Sequence, residues 1–158
     1  MTASAVVITV SDGVSAGTRK DESGDAVEEL LAGQGYEVTR DLVPDDHDQI
    51  VAALRRACEQ ADLVLTTGGT GFGVRDVTPE ATGEVLERDA PGLVHVMLAR
   101  GLEKTALAAL TRARAGTVGK TLVVNLPGSP KGATENLSAI MELIPHALQL
   151  LGGDNRHH

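Results

Sequence analysis

Three short apolar runs, at residues 5–10, 63–67 and 121–126, each lead into a polar loop and then into a helix-like segment. Runs of this length, rich in Val, Leu, Ile and Thr, are typical of strands that are covered on both faces. A further strand is predicted at 36–43. Strands that alternate with helices indicate βαβ units, so the predicted fold class is α/β, with three α/β/α layers and a mainly parallel central sheet.

The predicted helices have apolar residues at three- and four-residue spacing, as at 47–60 and 91–103. Their boundaries are predicted from capping residues and prolines: Ser23, Thr78-Pro79, Pro91, Ser129-Pro130, and Pro145, which should divide the last helix. Residues 11–22 are expected to form a loop. An additional strand is expected before 121–126, joined to it through Gly116 and Gly119.

Composition limits the class of partner. The 158 residues, most simply one domain over 1–158, carry 14 basic and 22 acidic side chains and a net charge of -8. This charge disfavours nonspecific binding to nucleic acid or to anionic membrane. Tyr36 and Phe72 are the only aromatic residues, too few for a platform that stacks on bases. A small molecule or another protein is the expected partner.

Cys58 is the only cysteine, so neither an internal disulfide nor a multi-cysteine metal site can form. Its helical position beside Leu54, Ala57 and Ala61 predicts a buried, noncatalytic thiol. No apolar run has the length of a membrane span, and the amino-terminal segment MTASAVVITV lacks the features of a signal peptide. A cytoplasmic location is therefore expected. The terminal His157 and His158 are assigned no function.

The loop TTGGTGFGVRDVTP at 66–79 follows a strand, yet its glycine spacing fits neither the dinucleotide fingerprint nor the P-loop. Its glycines can expose successive backbone amides as a concave nest for an anion, and a helix starting near Pro79 would add partial positive charge. The candidate ligand residues here are Gly68, Gly69, Thr70, Gly71, Arg75, as a phosphate fork, and the carboxylate Asp76. The alternative is a tight connection with a solvated Arg75-Asp76 pair.

Two more loops follow predicted strands, and the ends of parallel strands gather at one edge of a sheet. VPDD at 43–46 places Asp45 where it could meet Asp76, and two carboxylates beside phosphate-binding amides suit Mg²⁺. Helix capping is the alternative for Asp45, Asp46 and Asp48, and accounts for at least one of them. NLPGSPKG at 125–132 contributes Asn125, Pro127, Gly128, Ser129 and Lys131, the last as a phosphate counter-ion.

Together these segments resemble the molybdopterin adenylyltransferases of molybdenum cofactor biosynthesis, of MogA and MoaB type, and the related domains of plant proteins and of gephyrin. The resemblance runs almost from end to end. It is carried by SDGVSAGTRKDESG at 11–24, VPDD at 43–46, TTGGTGFGVRDVTPEAT at 66–82, PGL at 91–93 and NLPGSPKG at 125–132. The chain departs from the family pattern at 72–74, at Ala106 and at Thr111.

The resemblance implies transfer of AMP from ATP to the terminal phosphate of molybdopterin, with release of pyrophosphate and with Mg²⁺. It places the catalytic carboxylates at Asp45 and Asp76, the nucleotide and pterin sites at Gly68–Gly71 and Pro127–Ser129, and a further ligand contact at Asp12. It also implies a homotrimer or hexamer and a molybdate-inserting partner enzyme. Since a phosphate nucleophile is already ionised, we expect Asp45 and Asp76 to hold metal rather than to carry protons.

Two other functions are compatible with the same fold. One is a molybdopterin-binding protein without catalysis, which would bind the pterin and leave ATP unconsumed. The other is a pyrophosphohydrolase-related domain of the competence-damage type. Such domains commonly lie in longer chains.

Overall fold

The computed structural model of this protein describes residues 2–153. Our prediction of a domain over 1–158 therefore extends at both ends outside the described residues, and His157 and His158 lie outside them as well.

Six strands form one sheet in the order β2-β1-β3-β6-β5-β4. β1, β2, β3 and β6 are parallel, whereas β5 is antiparallel to both β6 and β4. The strand bounds are β1 Ser4–Val10, β2 Glu37–Val43, β3 Leu63–Thr67, β4 Arg88–Asp89, β5 Ala115–Val118 and β6 Thr121–Leu126. The predicted parallel sheet is confirmed, and so is the extra strand before β6.

Helices connect the strands and cover both faces of the sheet. Their bounds are α1 Asp12–Ser15, α2 Glu22–Gly33, α3 His47–Gln60, α4 Thr78–Val85, α5 Pro91–Leu102, α6 Pro130–Ile140 and α7 Ile144–Leu151. A 3-10 helix spans Ala106–Leu110. The last helical run divides around 141–143, immediately before Pro145, as predicted.

Two apolar clusters lie on opposite faces of the sheet because successive strand side chains alternate. On one face, Val7 and Leu65 pack with α2, α5, α6 and α7. On the other face, Ile8 and Val64 pack with α3 and α4. The three-layer α/β/α prediction is therefore confirmed.

Three local predictions are wrong, and each error has a hydrogen-bonding cause. Residues 11–22 are not all loop, because Ser11 accepts from the Val14 amide and starts the short helix α1. Asp21 rather than Ser23 caps α2, accepting from the Gly24 amide at 3.0 Å. Thr78 does not cap α4, because its hydroxyl donates to the Gly68 carbonyl at 2.9 Å. Asp46 and Ser129 do cap α3 and α6, as expected.

Within residues 2–153, none of the helices combines the length and the apolar composition that a membrane crossing requires.

Cys58 lies half-buried on α3, against the cluster that contains Ile50 and Leu54. Burial raises the pKa of its thiol to about 11, and the nearby Glu87 carboxylate contributes to this rise. Because only the thiolate reacts with electrophiles, this environment keeps Cys58 inert near neutral pH.

We expect iodoacetamide to alkylate Cys58 at pH 8 roughly a hundredfold more slowly than it alkylates a free thiol, because so little thiolate is present. Mass spectrometry of the folded protein over time measures the rate. Protein unfolded in urea is the control and should react at the free-thiol rate. Equal rates in the two states would contradict the burial argument.

Candidate active site

Four loops meet at the carboxyl edge of the sheet. They follow β1, β2, β3 and β6 at residues 11–21, which include the short helix α1, 44–46, 68–77 and 127–129. From β1 the chain continues to β2 on one side, while β3 lies on the other side, so the strand order reverses here. Crevices at such switch points are the usual ligand sites of α/β sheets. The loops that the sequence singled out do converge.

Two cavities open at this edge. The first, of about 410 Å³, is lined mostly by polar residues and is called the polar cavity. Its lining includes Ser11, Arg19, Lys20, Asp21, Ser23, Asp45, Gly68, Gly69, Asp76, Gly128 and Ser129. The second, of about 520 Å³, is called the apolar cavity. Since Gly69, Asp76 and Gly128 line both, the two cavities adjoin.

Glycine is required at the start of the loop after β3. Gly68 has a φ of 96°, and a Cβ there would lie 2.3 Å from the Val10 carbonyl oxygen. A Cβ on Gly128 would lie 3.3 Å from the Cα of Gly68. Glycine tolerates both the backbone conformation and the close approach. The ends of β1, β3 and β6 thus come together in a way that larger residues would prevent.

We expect Gly68→Ala to lower the free energy of unfolding by about 3 kcal/mol or more, through left-handed strain and the clash with the Val10 carbonyl. Gly33→Ala is the matched control, because a Cβ at that helical position meets nothing within 4 Å. Its stability should stay within about 1 kcal/mol of the parent. Urea unfolding measures both, and equal midpoints for the two variants would contradict the geometry.

Backbone amides at this edge are available to an anion. Among residues 2–153, the amides of Gly69, Thr70, Gly71, Gly128 and Ser129 donate to no protein acceptor. Successive unpaired amides form the type of nest that binds phosphate oxygens. The amino terminus of α6 directly follows Ser129, and the helix dipole favours negative charge there.

Asp45 and Asp76 face the same polar cavity, as predicted. Asp45 Oδ2 accepts from the Asp12 amide at 3.0 Å, and Asp76 Oδ2 accepts from the Gly73 amide at 2.9 Å. Within the described chain, the Oδ1 atom of each carboxylate accepts no hydrogen bond. Each aspartate is thus oriented through one oxygen and has the other available.

Asp12 links the first two loops instead of standing free for a ligand. Its Oδ1 accepts from the Asp45 amide at 3.0 Å, which makes the Asp12–Asp45 pairing reciprocal. Arg75 donates to both oxygens of the Asp12 carboxylate, from Nε at 3.0 Å and from Nη2 at 2.9 Å. Asp12 and Arg75 were both predicted to contact a ligand, but in the structure their side chains bond to each other.

The charges alter the acidity of these groups in opposite directions. Burial raises the pKa of the Asp45 carboxyl, and the neighbouring Asp12 and Asp76 carboxylates raise it further, against the hydrogen bond from the Asp12 amide. The hydrogen bond from Arg75 lowers the pKa of Asp12. A cation placed in the cavity would therefore favour the charged form of Asp45.

The donor set fits Mg²⁺ only in part. No group of three or more His, Cys, Asp or Glu side chains within 2–153 could hold a metal by itself. Mg²⁺ prefers oxygen ligands, and it commonly uses one or two carboxylates, substrate phosphates and waters. The free Oδ1 atoms of Asp45 and Asp76 are compatible with that type of site, provided that a phosphate substrate supplies further ligands.

Asn125 is not at the cavity surface. Its side chain is fully buried, and its amide nitrogen donates to the hydroxyls of Thr66 and Thr82 at 2.9 and 3.0 Å. Its Oδ1 accepts from the Arg114 amide at 3.0 Å. These bonds join β3, α4 and β6 from below the loops. Asn125 therefore supports the site without reaching a ligand, contrary to its predicted binding role.

We expect Asn125→Ala to lower the free energy of unfolding by about 2–4 kcal/mol, because it leaves the Arg114 amide and two buried hydroxyls without their partner. Gln149→Ala removes an exposed amide and should change stability by less than about 0.5 kcal/mol. Thermal or urea unfolding of the two variants gives the comparison. If Asn125→Ala lowered the free energy of unfolding no more than Gln149→Ala does, the buried network would be disproved.

The loop after β6 divides its residues between the cavities. Gly128 and Ser129 line the polar cavity, and Pro127 and Gly128 line the apolar one. Ser129 also accepts from the Gly132 amide at 3.0 Å, so its hydroxyl is used as a helix cap. Lys131 is exposed on α6 and lines neither cavity, so its predicted role as a phosphate counter-ion lacks support from the structure.

The apolar cavity has walls from α5, the 3-10 helix and α6. Its apolar lining residues are Val94, Met97, Leu98, Leu107, Ala108, Leu110, Ala113 and Pro127. Thr70, which is buried, and Gly71 border it on the side of the glycine loop. A flat, largely apolar group could lie here with its charged end at the boundary with the polar cavity.

Sequence reasoning missed several residues of the site. Arg19 and Lys20 line the polar cavity, and Gly13 makes room for Arg19, since a Cβ there would lie 2.7 Å from the Arg19 Cδ. Arg112 holds the glycine loop. The sequence does contain a signal for Arg19 and Lys20, since a basic pair close to a predicted phosphate site is a candidate phosphate contact. No such signal exists for Arg112, because the fold brings it to Gly71 from 41 residues away.

Comparison with known proteins gives a consistent result. The family model described as "probable molybdopterin binding domain" matches residues 6–146. A protein named molybdopterin adenylyltransferase from Helicobacter pylori is 39% identical over 153 residues, which cover 94% of this chain and 87% of that protein. A crystal structure titled as the molybdopterin biosynthesis enzyme MoaB, from Thermus thermophilus, is 48% identical with a TM-score of 0.90 and covers 96% of this chain and 97% of that one.

The Drosophila melanogaster molybdenum cofactor synthesis protein cinnamon is 41% identical over 94% of this chain. The chain spans only 25% of the length of that protein.

Proposed function

The chain belongs to the family of probable molybdopterin-binding domains, and on that premise we propose that it is a molybdopterin adenylyltransferase. It transfers AMP from ATP to the terminal phosphate of molybdopterin and releases pyrophosphate. The same function was expected from the sequence resemblance.

One observation carries the proposal: two carboxylates with free oxygens and five unpaired amides surround the boundary between a polar and an apolar cavity. Phosphate groups from two substrates can meet at that boundary. The polar cavity suits a polyphosphate, and the apolar cavity suits a flat ring system. Holding both reactants in place supplies much of the rate enhancement of a transfer between two bound molecules.

The reaction exchanges one phosphorus–oxygen bond for another. An oxygen of the molybdopterin phosphate attacks the α-phosphorus of ATP, and the bond from that phosphorus to the bridging oxygen breaks, so that pyrophosphate leaves with the electron pair. The attacking phosphate is ionised at neutral pH, so no general base is required. Asp45 and Asp76 therefore serve as cation ligands and orienting groups.

Charge neutralisation comes from several groups because both substrates are anions. The unpaired amides of the two glycine loops are preorganised for phosphate oxygens. Arg19 and Lys20 add positive charge on the wall of the polar cavity. When bound by Asp45, Asp76 and substrate phosphates, Mg²⁺ would offset negative charge on the α-phosphate of the transferred adenylyl group.

The remaining sequence-based expectations stay part of the proposal. They comprise a homotrimer or a hexamer, a cytoplasmic location and a partner enzyme that inserts molybdate into the adenylylated product. Size-exclusion chromatography with light scattering tests the assembly directly.

We expect Asp76→Asn and Asp45→Asn each to lower kcat/KM for adenylyl transfer by about a hundredfold or more, because asparagine keeps the shape but removes the charge that attracts a cation. Pyrophosphate release in the presence of molybdopterin, ATP and varied Mg²⁺ gives the rates. Asp48→Asn is the matched control: its side chain is 96% exposed and lies outside both cavities. That variant should remain within about twofold of the parent.

Two results would count against the proposal. Pterin binding by the parent protein with no pyrophosphate release would indicate a binding protein without catalysis. Unchanged turnover of Asp76→Asn across Mg²⁺ concentrations would refute the metal-holding role while leaving the transferase activity in place.

A further inference from the structure

We infer that Arg112 is the positioning residue that holds the glycine loop, and with it Asp76, in the conformation needed for catalysis. The inference rests on the proposed function and goes beyond it in naming a residue outside both cavities. Arg112 follows the 3-10 helix and contacts the glycine loop after β3, and its side chain is 33% exposed. It lines neither cavity, so any effect on substrates must pass through other residues.

Four hydrogen bonds from Arg112 reach the loop segment 70–80. Its guanidinium donates from Nε to the Gly71 carbonyl at 2.8 Å, from Nη2 to the Asp76 carbonyl at 2.8 Å and from Nη1 to the Glu80 carboxylate at 2.6 Å. Its backbone amide donates to the Thr70 carbonyl at 2.8 Å. One residue thus joins the nest, the backbone of Asp76 and the first turn of α4.

The loop needs such a tether because its own sequence restrains it weakly. Glycine loses more conformational freedom on ordering than any other residue, and Gly71 and Gly73 flank the exposed Phe72. Between Gly71 and Asp76, the described structure has only two bonds within the loop, both between Gly73 and Asp76. These close a small turn but do not fix it relative to the sheet. The Arg75 side chain links the loop to Asp12 after β1, and Arg112 links the loop backbone to the segment before β5.

The position of the Asp76 carboxylate follows from this link. Fixing the Asp76 carbonyl fixes its backbone, so the free Oδ1 stays at the polar cavity. The bonds to the Gly71 and Asp76 carbonyls also prevent those oxygens from turning toward a phosphate. Charge-assisted bonds of this kind are roughly twice as strong as neutral ones.

Arginine is required here by geometry as well as by charge. Three acceptors in different positions are met by three nitrogens of one planar group. Lysine keeps the charge but places all its donors on one atom, so it cannot reach all three acceptors. The two residues are therefore not equivalent at position 112, and Arg112→Lys separates positioning from simple charge.

Arg112→Ala, Arg112→Lys and the control Arg114→Ala test the inference. Arg114 lies two residues further along and also forms an ion pair, to Asp89 at 2.6 Å, but away from the loop. We expect Arg112→Ala to lower kcat for pyrophosphate release by roughly 10- to 100-fold, since small misplacements of reacting groups have effects of this size. The KM for ATP should change much less, because the amides of Gly128 and Ser129 and the Arg19-Lys20 pair, which Arg112 does not contact, remain.

Two further readouts separate positioning from a general loss of stability. Millimolar guanidinium should restore part of the kcat of Arg112→Ala, whereas Arg112→Lys should remain impaired and Arg114→Ala should stay within about twofold of the parent. Hydrogen exchange in the absence of ligand should be faster at the Gly73, Asp76 and Thr78 amides of Arg112→Ala and unchanged in Arg114→Ala.

The exchange experiment does not depend on the enzymatic activity. Faster exchange together with a parent protein that never releases pyrophosphate would support the loop tether and refute the proposed function. A kcat of Arg112→Ala within about twofold of the parent, or unchanged exchange over 73–78, would overturn the inference. If the alanine variant does not fold, full activity of Arg112→Lys would overturn it instead.

Discussion

The close approach of three strand ends is the constraint on which the rest of the site depends. A side chain at Gly68 would meet the Val10 carbonyl, and one at Gly128 would press on Gly68. Because these positions have no Cβ, the ends of β1, β3 and β6 lie against one another, and the free amides of the loops after β3 and β6 line adjoining cavities. The glycine spacing in the loop after β3 therefore reflects packing between loops. This explains why the spacing follows neither the dinucleotide fingerprint nor the P-loop pattern.

Most of the fold could be predicted from the sequence because its signals are local. Val, Leu and Ile runs of strand length, prolines at helix starts and the Ser129 cap act within a few residues. The convergence of Asp45 and Asp76 was predictable for a different reason, since parallel strands bring their carboxyl ends to one edge. The errors at Ser23, Thr78 and Asn125 share a cause. Each of these residues has a polar side chain suited to a local role or to a ligand, but its hydrogen-bond partner in the structure comes from a distant segment. Asp21 then caps α2 in place of Ser23.

Long-range polar contacts were beyond sequence reasoning for the same reason. The Asp12–Asp45 pairing spans 33 residues, and the Arg75–Asp12 pair spans 63. The family resemblance suggested a ligand contact for Asp12, and the chemistry of the two loops suggested one for Arg75 and for Asp45. In the structure these groups instead join the loops to one another, and one carboxylate oxygen of Asp45 and one of Asp76 stay free of hydrogen bonds from the described chain. Their place at strand ends singled out these two aspartates among the 22 acidic residues, and the family resemblance gave them a catalytic role.

The distribution of arginines suggests how an acidic protein accommodates anionic substrates. Arg40 pairs with Asp21, Asp25 and Glu28, Arg75 pairs with Asp12, and Arg112 pairs with Glu80. Arg75 and Arg112 hold the glycine loop, and Arg40 pairs with Asp21, which lines the polar cavity, so these guanidinium groups lower the negative potential without touching a ligand. Phosphate contact is then left to backbone amides, which carry no net charge and have no side-chain freedom to lose. A site of this kind depends on exact backbone placement more than on any single cation, and that is why a residue outside the cavities, such as Arg112, can control it.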